Sequence, residues 1–146
     1  MHADKKYSIN APMEKVWKLT SDPETLSQCI PGIKSFEEKD QNHFVAKVGT
    51  PFAFLKGTIT MDLEVISLEH NVAKIRIQGK SLGSTFEILT EVSLEEDQDT
   101  TSLTWVADMN PCGLLAAIPE TVSKGAAIQL ADRIFSCLER KIVSGN

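Results

Sequence analysis

The chain has 146 residues, 42% of them hydrophobic, and its 15 Lys and Arg against 20 Asp and Glu give a formal net charge of −5. That length supports one core, and an acidic balance with scattered lysines argues against nucleic acid, whose binders usually carry a basic patch or stripe. The longest apolar run is short of the ~20 residues that span a bilayer, which leaves only surface docking on a membrane open. Three cysteines, Cys29, Cys112 and Cys137, share no CxxC spacing and follow no secretion signal, so the expected setting is the reducing cytoplasm.

In chain order, Asp4 to Asn10 reads as a short strand with Tyr7 and Ile9 on one face. Ala11-Pro12 ends it and starts a helix, with Pro12 at the first helical position, Glu14 in the first turn and Val16, Trp17 and Leu19 on an apolar side. Asp22-Pro23-Glu24 starts a second short helix, with Asp22 as N-cap and Leu26, Cys29 and Ile30 as the buried edge, and Pro31-Gly32 stops it.

From Ile33 to Met109 the apolar period is two. The predicted strands are Ile33 to Lys39, His43 to Gly49, Gly57 to Leu68, Val72 to Gly79, Ser84 to Glu95 and Thr101 to Met109. Each hairpin leaves one face polar, so the meander is antiparallel and is covered on one side only. Two connections have no strand parity: 50 to 55, with Phe52 and Phe54, and 110 to 119, where Leu114 to Ile118 reads as a helical turn bent at Pro119. Such apolar connectors either cover the core, line the entrance to a cavity, or touch a membrane or partner.

Glu120 to about Val143 is the one long segment with an uninterrupted helical period. Val122, Ala126, Leu130, Ile134, Leu138 and Ile142 recur every four residues beside Ala127, Ala131 and Phe135, while Lys124, Gln129, Asp132, Arg133, Ser136, Glu139 and Arg140 take the other face. This apolar arc of roughly 200° needs a partner that wraps around it, and a curved antiparallel sheet does so. The small residues Gly125, Ala126, Ala127 and Ala131 leave space beside the helix for a ligand cavity.

The inward parity of the strands places Met61 and Leu63, then Ile75 and Ile77, then Phe86, Ile88 and Thr90, then Trp105 and Met109, opposite Ala126, Ala127, Leu130 and Ile134 of the helix. Ser84 and Thr90 are the only polar members. A greasy interior with one or two hydroxyls suits an apolar or aromatic molecule and suits acid-base catalysis poorly; the same residues packed together would be an ordinary core. Phe52, Phe54, Leu114 and Leu115 are the candidate cavity entrance.

No GxGxxG, P-loop, HExxH or GxSxG motif occurs, and His2, His43 and His70 share no metal-ligand spacing on one element. Cys112 and Cys137 have no histidine nearby in sequence and read as small packed thiols. Glu95, Glu96, Asp97 and Asp99 read as a solvated turn. No catalytic residue, metal or cofactor is expected.

The order of strand, two short helices, six-strand meander and long C-terminal helix resembles the helix-grip arrangement of the START-like (SRPBCC) superfamily. Within it, Ala11-Pro12-Met13-Glu14-Lys15-Val16-Trp17 and the stretch from Asp22-Pro23-Glu24 to Cys29-Ile30-Pro31-Gly32 resemble the carbon monoxide dehydrogenase CoxG family, with Gly57 and Ala127 to Leu138 also fitting. The resemblance covers nearly the whole chain. It implies an α+β helix-grip domain over residues 1–146, with a seven-stranded curved antiparallel sheet around the C-terminal helix, and an accessory protein of molybdenum hydroxylases of the carbon monoxide dehydrogenase type with membrane-linked and quinone-handling roles. Some family members continue into a hydrophobic tail whereas this sequence stops at Asn146, and the glycine-rich run that many carry is here only Gly79-Lys80-Ser81-Leu82-Gly83. The expected function is non-catalytic binding of a lipid or quinone-like molecule, in the cytoplasm or peripherally at the inner face of the cell membrane. Its rivals are a polyketide cyclase/aromatase-like enzyme, which needs an inward acid or base, and a docking module with a filled core.

Overall fold

Tight turns set the order of the sheet. In the computed structural model, which describes residues 1–49 and 57–143, β4 (Thr58–Glu69) and β5 (Val72–Ser81) are joined by His70 and Asn71, both at positive φ (57° and 62°). That is the two-residue hairpin geometry whose twist matches antiparallel strands. Similar short turns connect β2 (Ile33–Asp40) to β3 (His43–Gly49), β5 to β6 (Ser84–Asp97), and β6 to β7 (Thr100–Gly113). The strand β1 (His2–Ile9) is separated from β2 by α1 (Met13–Thr20) and α2 (Pro23–Gln28), and pairs instead with β7. The result is one seven-stranded antiparallel sheet in the order β1-β7-β6-β5-β4-β3-β2.

Local capping is close to the sequence expectation, with one shift. Asp22 caps α2, its Oδ1 accepting from the Glu24 amide at 3.2 Å and its Oδ2 from the Thr25 hydroxyl at 2.7 Å, with Pro23 at the first helical position. Pro12, expected inside α1, precedes it in an extended conformation (φ −67°, ψ 149°), and its carbonyl accepts from Lys15 and Val16.

A second departure lies in β7, which runs through Asn110-Pro111-Cys112-Gly113 instead of ending at Met109. Pairing with β1 stops near Met109, whose amide donates to the Met1 carbonyl. Beyond that point β7 is an edge strand, where the N–H that proline lacks has no partner to miss. Gly113, at φ 74°, then turns the chain into one 3-10 turn, Leu114–Ala117, ahead of α3 (Glu120–Val143).

The helix α3 is buried unevenly along its apolar arc. Ala131, Phe135, Leu138 and Ile142 are buried and share a cluster with Ile9, Ala11, Val16, Cys29, Leu94 and Leu103. One turn and more toward the N-terminus, Leu130, Ala127 and Ala126 are only half-buried, and Val122 is 46% exposed. The core therefore sits at the C-terminal half of α3, gripped by β1, β6, β7, α1 and α2.

The cysteines differ from expectation too. Cys29, at the end of α2, and Cys137, on α3, form a disulfide with a Cα–Cα separation of 5.5 Å across 108 positions of sequence. Cys137 is therefore not the packed free thiol expected of it, and neither is Cys112, which is free but exposed; the fold joins two residues whose spacing carries no signal.

Unequal burial gives unequal costs. Leu138→Ala, at a fully buried position, is expected to destabilise the protein by about 3 kcal/mol through lost transfer energy and an unfilled cavity. Leu130→Ala should cost less than half as much. Urea unfolding of the two variants beside the parent checks both values, and equal losses would mean that α3 is gripped along its whole length.

Candidate functional site

Register aligns the inward-facing side chains in rows across the sheet. One row runs Ala46, Met61, Gly79, Phe86, Pro111; the next Phe44, Leu63, Ile77, Ile88, Met109; the next Val65, Ile75, Thr90, Ala107, Ala3. In these rows the buried members are Ala46, Phe44, Val65, Ala107 and Ala3 toward the β3 and β1 sides, together with the central Gly79, which has no side chain. The middle of the face is different. Met61, Leu63, Ile75, Ile77, Phe86, Ile88, Thr90, Trp105 and Met109 are all half-buried. Central positions on a face covered by a tightly packed helix would be the most deeply buried. Here they are not, and the half-buried Ala126, Ala127, Leu130 and Ile134 belong to the helix above them. The N-terminal half of α3 and the centre of the sheet face are thus less deeply buried than the cluster around Leu138.

One glycine shapes that centre. Gly79 faces Phe86 in register, and a side-chain carbon added at Gly79 would collide with the Phe86 ring. The ring therefore lies down over the glycine, which keeps it low on the sheet.

The expected hydroxyls are both occupied by the protein. Thr90 Oγ1 donates to the Val106 carbonyl at 3.1 Å, and Ser84 Oγ accepts the Leu115 amide at 3.1 Å. Of the entrance residues, Leu115 is buried under that hydrogen bond, whereas Leu114 is 68% exposed and rests against Gly83. Phe52 and Phe54 lie outside the described residues.

A polar seam that periodicity missed fastens one side of α3. Asp132, assigned by helical period to the solvent face, accepts from Lys5 Nζ at 2.8 Å and from the Tyr7 hydroxyl at 2.7 Å through the same Oδ1, and the Tyr7 ring packs on Phe135. Hydrogen bonds from Lys5 and Tyr7 hold the Asp132 carboxyl below its ordinary value, while burial and the facing carboxylate push the Tyr7 phenol well above its own. The parity of Lys5 and Tyr7 on β1 was the available signal, but it names no partner.

The remaining polar groups pair at the surface. A hollow of about 190 Å³ on the outer sheet face is bordered by Lys39, His43, Glu64 and Arg76, all already in ion pairs. His43 beside Asp40, and His2 between Asp108 and Asp4, are held above the usual imidazole value by those carboxylates. Among the described residues no three His, Cys, Asp or Glu side chains converge as a metal site, and no helix is long and apolar enough to cross a membrane.

A seven-stranded antiparallel sheet with two short helices after β1 and one long C-terminal helix is the architecture of START-superfamily proteins. The chain is similar in structure to a conserved protein from Geobacillus kaustophilus (TM-score 0.92, 23% identity, covering 99% of this chain and 96% of that one). It is also similar to a START superfamily protein from Mycobacterium smegmatis (TM-score 0.77, 18% identity, 99% of each chain). Among curated proteins, none matches the sequence significantly. Residues 6–143 match the carbon monoxide dehydrogenase CoxG family, and the chain belongs to that family.

The seam gives a pH dependence with a definite sign. Because the folded-state Asp132 pKa lies below 3.8, its contribution is present above that pH and is lost as the pH falls through the folded value. Asp132→Asn should therefore lower the melting temperature at neutral pH and make its further fall below pH ~4 shallower than in the parent. Tyr7→Phe should cost about 1 kcal/mol at neutral pH. Thermal melts between pH 3 and 7 check both, and parallel acid limbs for parent and Asp132→Asn would remove the seam from the acid response.

Proposed function

We propose that this protein holds an apolar small molecule, a lipid or a quinone-like ring with a hydrocarbon tail, in the cleft between the sheet and the N-terminal half of α3. It acts as a carrier or accessory protein rather than as an enzyme, and its partner is a molybdenum hydroxylase of the carbon monoxide dehydrogenase type. The observation that carries the reading is the half-burial of the nine floor residues at the centre of the helix-facing surface. Apolar surface there is withheld from the protein's own core and is available to a guest, whose burial contributes roughly 25 cal/mol per Å².

The chemistry of the floor favours holding over reacting. Thr90 is its only polar side chain and already donates to a backbone carbonyl, and none of the floor residues is ionisable. General acid-base catalysis requires a titratable group within hydrogen-bond reach of the substrate. Lys5 shares the inward parity, but its ammonium is taken by Asp132 at the seam. Trp105, Phe86 and Met61 offer flat and polarizable contacts to an aromatic or quinonoid ring. Membership of the CoxG family supports the dehydrogenase partner.

Mass spectrometry of the natively purified protein is the direct test, and a lipid or quinone at about one per chain is the expected result. In titration, cis-parinaric acid should bind saturably and quench Trp105 more than Trp17. Gly79→Ala should weaken that binding several-fold, because the added methyl lifts the Phe86 ring off the sheet and into the cleft. No saturable binding, or equal quenching of both tryptophans, would favour a filled core and a docking role.

A further inference from the structure

Beside its packed core, α3 is tied to the rest of the fold on two sides. On the β1 side the tie is the Lys5 and Tyr7 seam to Asp132. On the opposite side the tie is covalent: Cys137 of α3 is bonded to Cys29 at the end of α2. From Cys29 the chain passes through Pro31 and Gly32 into β2. Gly32, at φ 78°, lies so close to β3 that a side chain there would collide with the Gly49 carbonyl, and its own carbonyl accepts the Gly49 amide at 2.8 Å. The disulfide thus connects α3, through α2 and the Gly32–Gly49 contact, to the far edge of the sheet that floors the cleft. A six-residue helix such as α2 has little stability of its own, and a further side-chain tie from it to α3 is an exposed hydrogen bond, from Lys141 Nζ to Gln28 Oε1 at 2.9 Å.

We propose that the Cys29–Cys137 disulfide is a reversible redox clasp that sets the width of the cleft, narrow when oxidised and wider when reduced; this rests on the apolar-cleft reading of the same site. Cys29 is 5% exposed and Cys137 is half-buried, so an incoming thiolate reaches Cys137 first. A dithiol reductant supplies two electrons and two protons. Its first sulfur bonds to Cys137 Sγ and the Sγ–Sγ bond breaks, Cys29 leaving as a thiolate that takes a proton. The reductant's second sulfur then displaces Cys137, which is protonated, and the reductant departs as its own disulfide. The clasp is broken, α2 is left on its weaker contacts, and α3 keeps its core packing around Leu138 and the β1 seam.

The test uses the full chain with Trp17→Phe, so that Trp105 alone reports, and compares oxidised protein with protein reduced by dithiothreitol under native conditions. Acrylamide quenching of Trp105 reads cleft width without any ligand; stopped-flow release of cis-parinaric acid reads exchange. Reduction is expected to raise quenching and to speed release several-fold. Cys29→Ser should show the reduced values and ignore dithiothreitol, whereas Cys112→Ser should respond as the parent does. If Cys29→Ser folds poorly, Cys137→Ala serves in its place. A disulfide that resists native reduction, or quenching and release that are the same in both states, would overturn the clasp. Increased quenching without any binding of cis-parinaric acid would leave the clasp standing and sink the apolar-ligand reading instead.

Discussion

The structure depends on a single helix that does two jobs. With 24 residues, α3 is roughly 36 Å long, more than the cluster around Leu138 needs. Its C-terminal half completes that cluster with Ala131, Phe135 and Ile142. Its N-terminal half repeats the same apolar period, but Ala126, Ala127 and Leu130 are only half-buried. Hydrophobic burial at one end stabilises the fold, so the other end is free to be packed less tightly than a uniform core would be.

The sheet contributes by where it puts small side chains. Ala46, Gly79, Ala107 and Ala3 interrupt the inward rows, with Gly79 next to the large Phe86 and Ala107 next to Thr90. Small residues beside large ones let the large ones lie down along the sheet instead of standing up to meet α3. The centre of this face is set by Met61, Leu63, Ile77, Phe86 and Ile88, with no charge among them.

Much of this was legible in the sequence because it is local. Alternation from Ile33 to Met109 depends on neighbours two apart, the α3 arc on neighbours three and four apart, and the Asp22 cap on the residue two further on; all of these came out close to expectation. The features that were not legible depend on residues far apart in the chain. The continuation of β7 through Pro111 follows from β1 ending opposite it, and Asp132 is turned from solvent by Lys5 and Tyr7, over a hundred positions earlier. The Cys29–Cys137 bond joins positions that no spacing rule connects. The parity of the floor residues was readable, but their exposure was not, since parity gives direction and only the tertiary position of α3 gives depth.

The two ties on α3 differ in how they respond to surroundings, and this bears on where flexibility resides. The seam is a hydrogen-bonded carboxylate in a partly solvated position, which contributes modestly and persists over a wide pH range above the Asp132 value. The disulfide is indifferent to pH in that sense and sensitive to thiols. Between them the C-terminal half of α3 is held from both sides, while the N-terminal half is anchored to the chain through Pro119 and the turn that Ser84 secures at Leu115. Local opening follows the segments with the least buried surface, and along α3 that is its N-terminal half, where Val122 is 46% exposed.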